Sequence, residues 1–220
     1  MDILGVIKNR RSVRKFLDVP VSWDLIGLIM EAGKAAPSAG NLQPWKFIAC
    51  TDESVIKQVA TACLQQNWIA TAPVVIVVVC DATTTKQHYG VRGEKLYSIQ
   101  GCAACIENML LVAHSLGLGA CWVGAFEEIM LRNALGIPEE VRPQAVIPIG
   151  YPDEKPPEPV EFPLENLVYH NKFGAGFRDL NVITKQYGDV WRDWAKKGRK
   201  AVQKKFGKGT KKLKKLFKRK

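Results

Sequence analysis

The chain has 220 residues, of which 47% are hydrophobic, and its 32 basic and 21 acidic residues give a formal net charge of +11. That length suits one domain with an appendage and a sizeable core, and no uninterrupted apolar run reaches the ~18 residues of a membrane span. Residues 196–220 hold 14 of the basic residues and none of the acidic ones, leaving a mildly acidic body with 18 against 21, so the basicity belongs to the tail.

Ile3, Leu4, Val6 and Ile7, with the basic residues that follow them, open the chain as a short amphipathic helix. Ser22 suits the N-cap of a second helix. There Leu25, Ile26, Leu28, Ile29 and Ala32 keep helical spacing until Pro37 stops it. Residues 45–50 read as a strand and 52–65 as a helix with Val55, Val59 and Ala62 inward. The longest apolar run, 72–80, is rich in Val and Ile and reads as the buried central strand. Residues 81–95 are polar and are expected to form a mobile loop. Residues 97–116 are apolar or small nearly all round, which predicts a long buried helix, ended by Gly117-Leu118-Gly119. A strand over 120–123, a short helix over 127–135 closed by Gly136 and a strand over 145–149 follow. A proline-rich connector over 153–163 then leads to a final short strand over 164–170.

Helices and strands mix without strict alternation, which predicts an α+β fold. Cys50, Cys63, Cys80, Cys102, Cys105 and Cys121 all lie in apolar segments and read as reduced core thiols. Cys102-Ala-Ala-Cys105 sits mid-helix, without the second ligand pair of a zinc site or the strand-to-helix setting of a redox motif.

Two stretches carry chemistry. Arg10-Arg11-Ser12-Val13-Arg14 places three guanidinium groups and a hydroxyl within five residues. Such donors suit a phosphate dianion and a ring edge that gains negative charge, and a solvated basic turn is the alternative. Residues 36–45 read Ala-Pro-Ser-Ala-Gly-Asn-Leu-Gln-Pro-Trp. Prolines stiffen this loop, Ser38, Ala39 and Gly40 allow close backbone approach to a flat ring, and Asn41 and Gln43 offer donor and acceptor together. The alternative is an ordinary helix-to-strand loop. Together the two point to a flavin nucleotide.

With Lys15-Phe16 appended to the first stretch, the pair resembles the nitroreductase family. Residues 72–77, 106–113, 117–126 and 147–152 resemble, in order, its central strand, its long core helix with the following strand, and its late strand and turn. The resemblance covers residues 1 to about 173. It implies an α+β fold with a central mixed sheet flanked by helices and a long buried core helix at a dimer interface. It also implies a homodimer with two FMN sites built from both subunits, in which hydride passes from NADH or NADPH through FMN to a small acceptor by a ping-pong route. Nitroaromatics, quinones, flavins and enones all suit such a site.

By the same resemblance, Arg10, Arg11 and Ser12 are expected at the phosphate and ribityl end, and Arg14 near the pyrimidine O2. Pro37, Ser38, Ala39, Asn41 and Gln43 would line the ring from the neighbouring subunit. Trp122, Val123 and Gly124 would pass close to it, with a backbone donor to N5, and Lys172 would close on the phosphate. Gln66 and Asn67 are candidates for the pyrimidine edge. Gly101 replaces an acidic residue common in relatives and is expected to enlarge the acceptor pocket. His88, Tyr89, Arg92 and Tyr97 lie in the segment expected above the site, as selectors of substrate or as a solvated loop. His114 reads as a packing residue. No metal is expected, and no side chain is needed as a general acid, because the flavin carries the hydride chemistry.

The expected organisation is a flavin-binding domain over 1–175, a linker or partial helix over 176–195 and a basic tail over 196–220. Leu213, Leu216 and Phe217 share one helical face of that tail. A disordered solubilising extension, an anionic membrane surface and nucleic acid are its readings, in that order. A cytoplasmic protein is expected, with room for peripheral contact at the inner membrane surface. A flavin-binding sensor or scaffold without turnover is the alternative function.

Overall fold

The computed structural model describes residues 2–176. They divide into two compact units, residues 1–158 and the part beyond 158, each described by itself. The tail and the Trp191–Trp194 segment lie outside the described residues.

The first unit begins with α1 (Ile3–Asn9), capped by the Asp2 carboxylate accepting from the Gly5 N–H at 2.7 Å. Helix α2 (Trp23–Lys34) is capped by Ser22 as the sequence predicts. Strand β1 (Trp45–Cys50) leads to α3 (Glu53–Ala62), whose N-cap Asp52 accepts from the N–H groups of Ser54 and Val55. This helix stops short of 65, and Ile56, Val59, Ala60 and Ala62 are its buried residues, with Val55 only half-buried. Strand β2 (Val74–Asp81) is the apolar run and is buried almost throughout.

The segment 81–95 departs from its expected loop. It forms α4 (Thr83–Arg92), running into a π-helical turn, Gly93–Tyr97, and then α5 (Ser98–Ser115). The Asp81 carboxylate accepts from the Thr83 N–H at 3.1 Å, and Lys86 pairs with Glu94 at 3.0 Å. These local polar contacts hold a helix that buries only Thr85 and so shows no apolar stripe. By length and composition, 83–115 would pass for a membrane span. Yet α5 packs Cys102, Cys105, Ile106, Met109 and Ala113 into the core with no exposed surface.

Strand β3 (Gly119–Ala120), α6 (Glu128–Leu135) and β4 (Val141–Gly150) complete the unit. The strands form one sheet in the order β1-β2-β4-β3, and every ladder in it is antiparallel. The sheet is thus antiparallel where a mixed one is expected, and the parallel pairing among the described residues is an isolated bridge between Ser12 and Ala120. The predicted strand 120–123 is interrupted after Ala120, and Val123 rejoins β4 through a bridge to Val146. Alternation along β2 divides the core. Ile76, Val78 and Cys80 face α2 and α5, while Val75, Val77 and Val79 join Ile56, Val59 and Leu131 on the other face.

In the second unit, Leu164–Asn166 is a single 3-10 turn rather than part of the expected strand. The Tyr169 and Phe173 rings meet at 4.7 Å between centroids.

Candidate functional site

Residues 10–14 run beside β3, with Ser12 bridged to Ala120 and the Val13 N–H donating to the Ala120 carbonyl at 3.0 Å. Extended backbone sends alternate side chains to opposite sides. Arg10, Ser12 and Arg14 all act on the Cys121 thiol, whose pKa is nonetheless raised because burial outweighs them. Arg11 and Val13 instead line a cavity of about 460 Å³ with His114 and Gly117.

The three guanidinium groups are held differently. Arg11 caps the end of α1, its Nη1 donating to the carbonyls of Lys8 at 2.6 Å and Arg10 at 2.8 Å. Arg10 lies 3.7 Å from the Glu107 carboxylate of α5, and its buried Nε has no hydrogen-bond partner among the described residues. Arg14 stands over the Trp68 ring at 5.9 Å. The Glu154 carboxylate accepts from the N–H groups of both Arg14 and Lys15, which pins this part of the backbone. His114 has its pKa lowered, first by burial and then by Arg10 and Arg11, so it is neutral at pH 7. Its buried Nε2 has no hydrogen-bond partner among the described residues, so His114 is not the satisfied packing residue that the sequence suggests.

The segment after β3 lies on the same edge. The Val123 N–H and carbonyl are both engaged by Val146, each at 2.9 Å. Among the described residues, the N–H groups of Trp122 and Gly124 make no hydrogen bond, so they are the donors free for a ligand. Gln66 donates through Nε2 to the Cys63 carbonyl at 2.9 Å and to the Ala125 carbonyl at 3.4 Å. The turn Asn67–Thr71 carries Trp68, so Gln66, Asn67, Arg14 and 122–125 form one neighbourhood.

The proline-bounded loop is built on left-handed backbone. Gly40, Asn41 and Gln43 have φ of 58°, 56° and 48°, a region open to glycine and tolerated by short amides. The Ser38 Oγ accepts from the Gln43 N–H at 3.0 Å, and Gln43 Nε2 donates to the Asn41 carbonyl at 3.1 Å. The loop faces the start of α5 across a cavity of about 270 Å³ lined by Pro37, Ser38, Ala39, Tyr97, Gln100 and Gly101. A Cβ on Gly101 would lie 3.5 Å from Ser38 and Trp45, so a methyl would fit and a longer acidic side chain would enter this space.

The structure therefore brings Arg10, Ser12 and Arg14 together with Trp122, Val123, Gly124 and Gln66. Among the described contacts, nothing joins them to the 37–43 loop, which meets α5 near Gly101 while Arg10 meets it near Glu107. Lys172 belongs to the second unit, where its N–H donates to the His170 carbonyl at 2.8 Å. Sequence reasoning missed Trp68, Glu107 and Glu154. Glu154 lies 140 residues from Arg14 in a proline-rich connector, and no local signal marks it.

The sequence model of the Nitroreductase family matches residues 7–71 and 62–151. The chain belongs to the nitroreductase family. A relative from Methanothermobacter thermautotrophicus, provisionally named an NADH dehydrogenase/NAD(P)H nitroreductase, is 39% identical over 160 residues, covering 71% of this chain and 80% of that protein. Among solved structures, a nitroreductase-family homologue of the same provisional name from Parabacteroides distasonis superposes with a TM-score of 0.69. It is 31% identical and covers 78% of this chain and 98% of that one. An FMN-dependent nitroreductase from Clostridium difficile R20291 superposes with a TM-score of 0.67. It is 27% identical and covers 77% and 99%. The α+β nitroreductase fold, long core helix included, is thus common to this chain and those proteins.

Proposed function

We propose that this nitroreductase-family chain is an FMN-dependent oxidoreductase that transfers hydride from NADH or NADPH to a small planar acceptor by a ping-pong route. The observation that carries the reading is the buried Arg10 Nε without a hydrogen-bond partner among the described residues, on the same side of one extended segment as Ser12 and Arg14. A buried donor left unpaired is costly, and a phosphate oxygen would satisfy it. Three guanidinium groups against the Glu107 and Glu154 carboxylates leave a positive excess for a dianion. The unpaired N–H groups of Trp122 and Gly124 suit the acceptor atoms of a flat polar ring. The residues present therefore fit FMN.

In this reading Arg10 and Ser12 hold the phosphate end, with Arg11 fixing the turn through the α1 carbonyls. Arg14, steadied by Trp68 and Glu154, places positive charge near the pyrimidine edge, and Gln66 is within the same neighbourhood. Trp122 or Gly124 offers a backbone hydrogen bond to the ring. When bound, FMN supplies the hydride chemistry, and the protein supplies position and field. The naming of relatives as NAD(P)H nitroreductases and of a structural neighbour as FMN-dependent supports the same assignment.

Among the described contacts nothing joins the 37–43 loop to the arginine segment, which favours a homodimer in which each loop serves the other copy's site. The acceptor is then a nitroaromatic, quinone, flavin or enone. The test is optical. Protein reconstituted with FMN should be yellow and should bleach under NADH or NADPH without air. Arg10→Ala should weaken FMN retention about tenfold or more, as expected for loss of a charge-assisted contact. A protein that binds FMN yet keeps it oxidised under both nicotinamides would be a sensor or scaffold, and the enzyme reading would fall.

A further inference from the structure

The turn between α4 and α5 is built on two glycines. Gly90 has φ 60° and ψ −148°, a conformation essentially restricted to glycine. At Gly93 a Cβ would run into the Thr85 carbonyl oxygen. Strained backbone and single π-helical turns concentrate at functional sites. Here the turn Gly93–Tyr97 folds Tyr97 back onto Arg92. Arg92 Nε donates to the Tyr97 hydroxyl at 2.9 Å, and its guanidinium carbon lies 5.4 Å from the ring centroid. Tyr89 meets Tyr97 edge-on at 5.5 Å, and its hydroxyl abuts Gly40 of the proline-bounded loop.

The charge on Arg92 is uncompensated. Glu94 is engaged by Lys86 at 3.0 Å. Arg92 makes no ion pair among the described residues, and no carboxylate lines the 270 Å³ cavity beside Tyr97. With Nε held by tyrosine, both Nη groups remain to donate in a fixed plane, the geometry that recognises a carboxylate.

We propose that Arg92, oriented by Tyr97, determines acceptor specificity. It selects planar aromatic acceptors that carry an anionic group, with the ring in the Tyr97-lined cavity and the anion on the guanidinium. This rests on the flavin-oxidoreductase reading above. The absence of an acidic side chain at Gly101 serves the same selection, because a carboxylate there would both fill the cavity and repel the ligand.

The test uses FMN-loaded enzyme with 4-nitrobenzoate and its methyl ester, which share the reducible group and differ in charge. Each is reduced as ArNO2 + NAD(P)H + H+ → ArNO + NAD(P)+ + H2O. In Arg92→Ala, the kcat/KM ratio of carboxylate to ester should fall about tenfold, with the loss in KM. Arg92→Lys should keep part of the preference, and added salt should erode it in the unsubstituted protein. Tyr97→Phe, which keeps the ring and removes the anchoring hydroxyl, should lower the ratio by a smaller factor.

Calorimetric titration with 4-nitrobenzoate needs no turnover and should show the same weakening in Arg92→Ala. An unchanged ratio with unchanged calorimetric affinity overturns the proposal, as does equal loss for both acceptors. Failure of the bound FMN to bleach under NAD(P)H overturns the flavin reading instead, and the calorimetric comparison still decides the role of Arg92.

Discussion

Cys63, Cys102 and Cys105 have no exposed surface, and the other three thiols have at most 5%. Burial pushes Cys50 up to about 11 and Cys63 and Cys105 up to about 12. Cys102 is raised by its hydrogen bond with Cys80 and then by burial, while Cys80 is lowered by that same bond. The nucleophile is the thiolate, and alkylation also needs access. In the folded protein at about pH 8, iodoacetamide should therefore leave all six unmodified over the time that labels them fully in urea. Mass spectrometry of the two samples checks this, and rapid labelling of any one thiol in the folded state would contradict it. The apolar flanks of each cysteine already implied this inertness. What they could not reveal is that Cys80 of β2 meets Cys102 of α5, because that contact depends on how a helix lies across a strand.

Among the elements, α6 ends where its sequence says. Gly136 adopts φ 63° at the C-terminal cap and hands its N–H to the Arg132 carbonyl. No atom lies within 4 Å of a Cβ built there, so the only obstacle to a side chain is the backbone conformation. Gly136→Ala should lower stability by about 1 kcal/mol, read as a lower urea midpoint with an unchanged slope. The segment 83–92 went the other way. Its helix is all but fully exposed, so the period that exposes a helix in a sequence is missing, and Thr, Tyr, His and Gly have weak helical preference. Local contacts decide it, at Asp81 with Thr83, Lys86 with Glu94 and Gly93 with Thr85. The strand expected over 164–170 failed for the converse reason: apolar residues there have no sheet edge to join among the described residues of their own unit.

In the larger unit, one sheet separates two cores, and the longest helix serves one of them. Eight of the 18 residues of α5 are buried, and they pack against β2 and α2, yet Ile99 remains exposed and Glu107 half-buried. The Arg10 segment and the 37–43 loop meet this helix at different stations, an arrangement that the proposed two-subunit site requires. Sedimentation equilibrium should therefore return twice the chain mass. A monomer with full FMN occupancy would remove the loop from the site. Charge is also segregated along the chain, with a body near −3 and an acid-free tail carrying 14 cations. Removing 196–220 should thus reverse the sign of the formal net charge, read as reversed electrophoretic mobility at pH 7.

The sequence by itself determined the family, the α+β class, the cap residues, the buried valine strand and the identity of the donor-rich arginine segment and loop. These depend on local period, on glycine and proline chemistry and on clusters of charge within a few residues, all of which are short-range. Only the tertiary structure decided which of those donors share an edge. Arg10, Ser12 and Arg14 reach Trp122, Gly124 and Gln66 through one parallel bridge at Ala120, and Glu154 arrives from 140 residues away to pin them. Such pairings arise when buried strands close against one another. Their partners are then chosen by packing, which no stretch of neighbouring residues encodes.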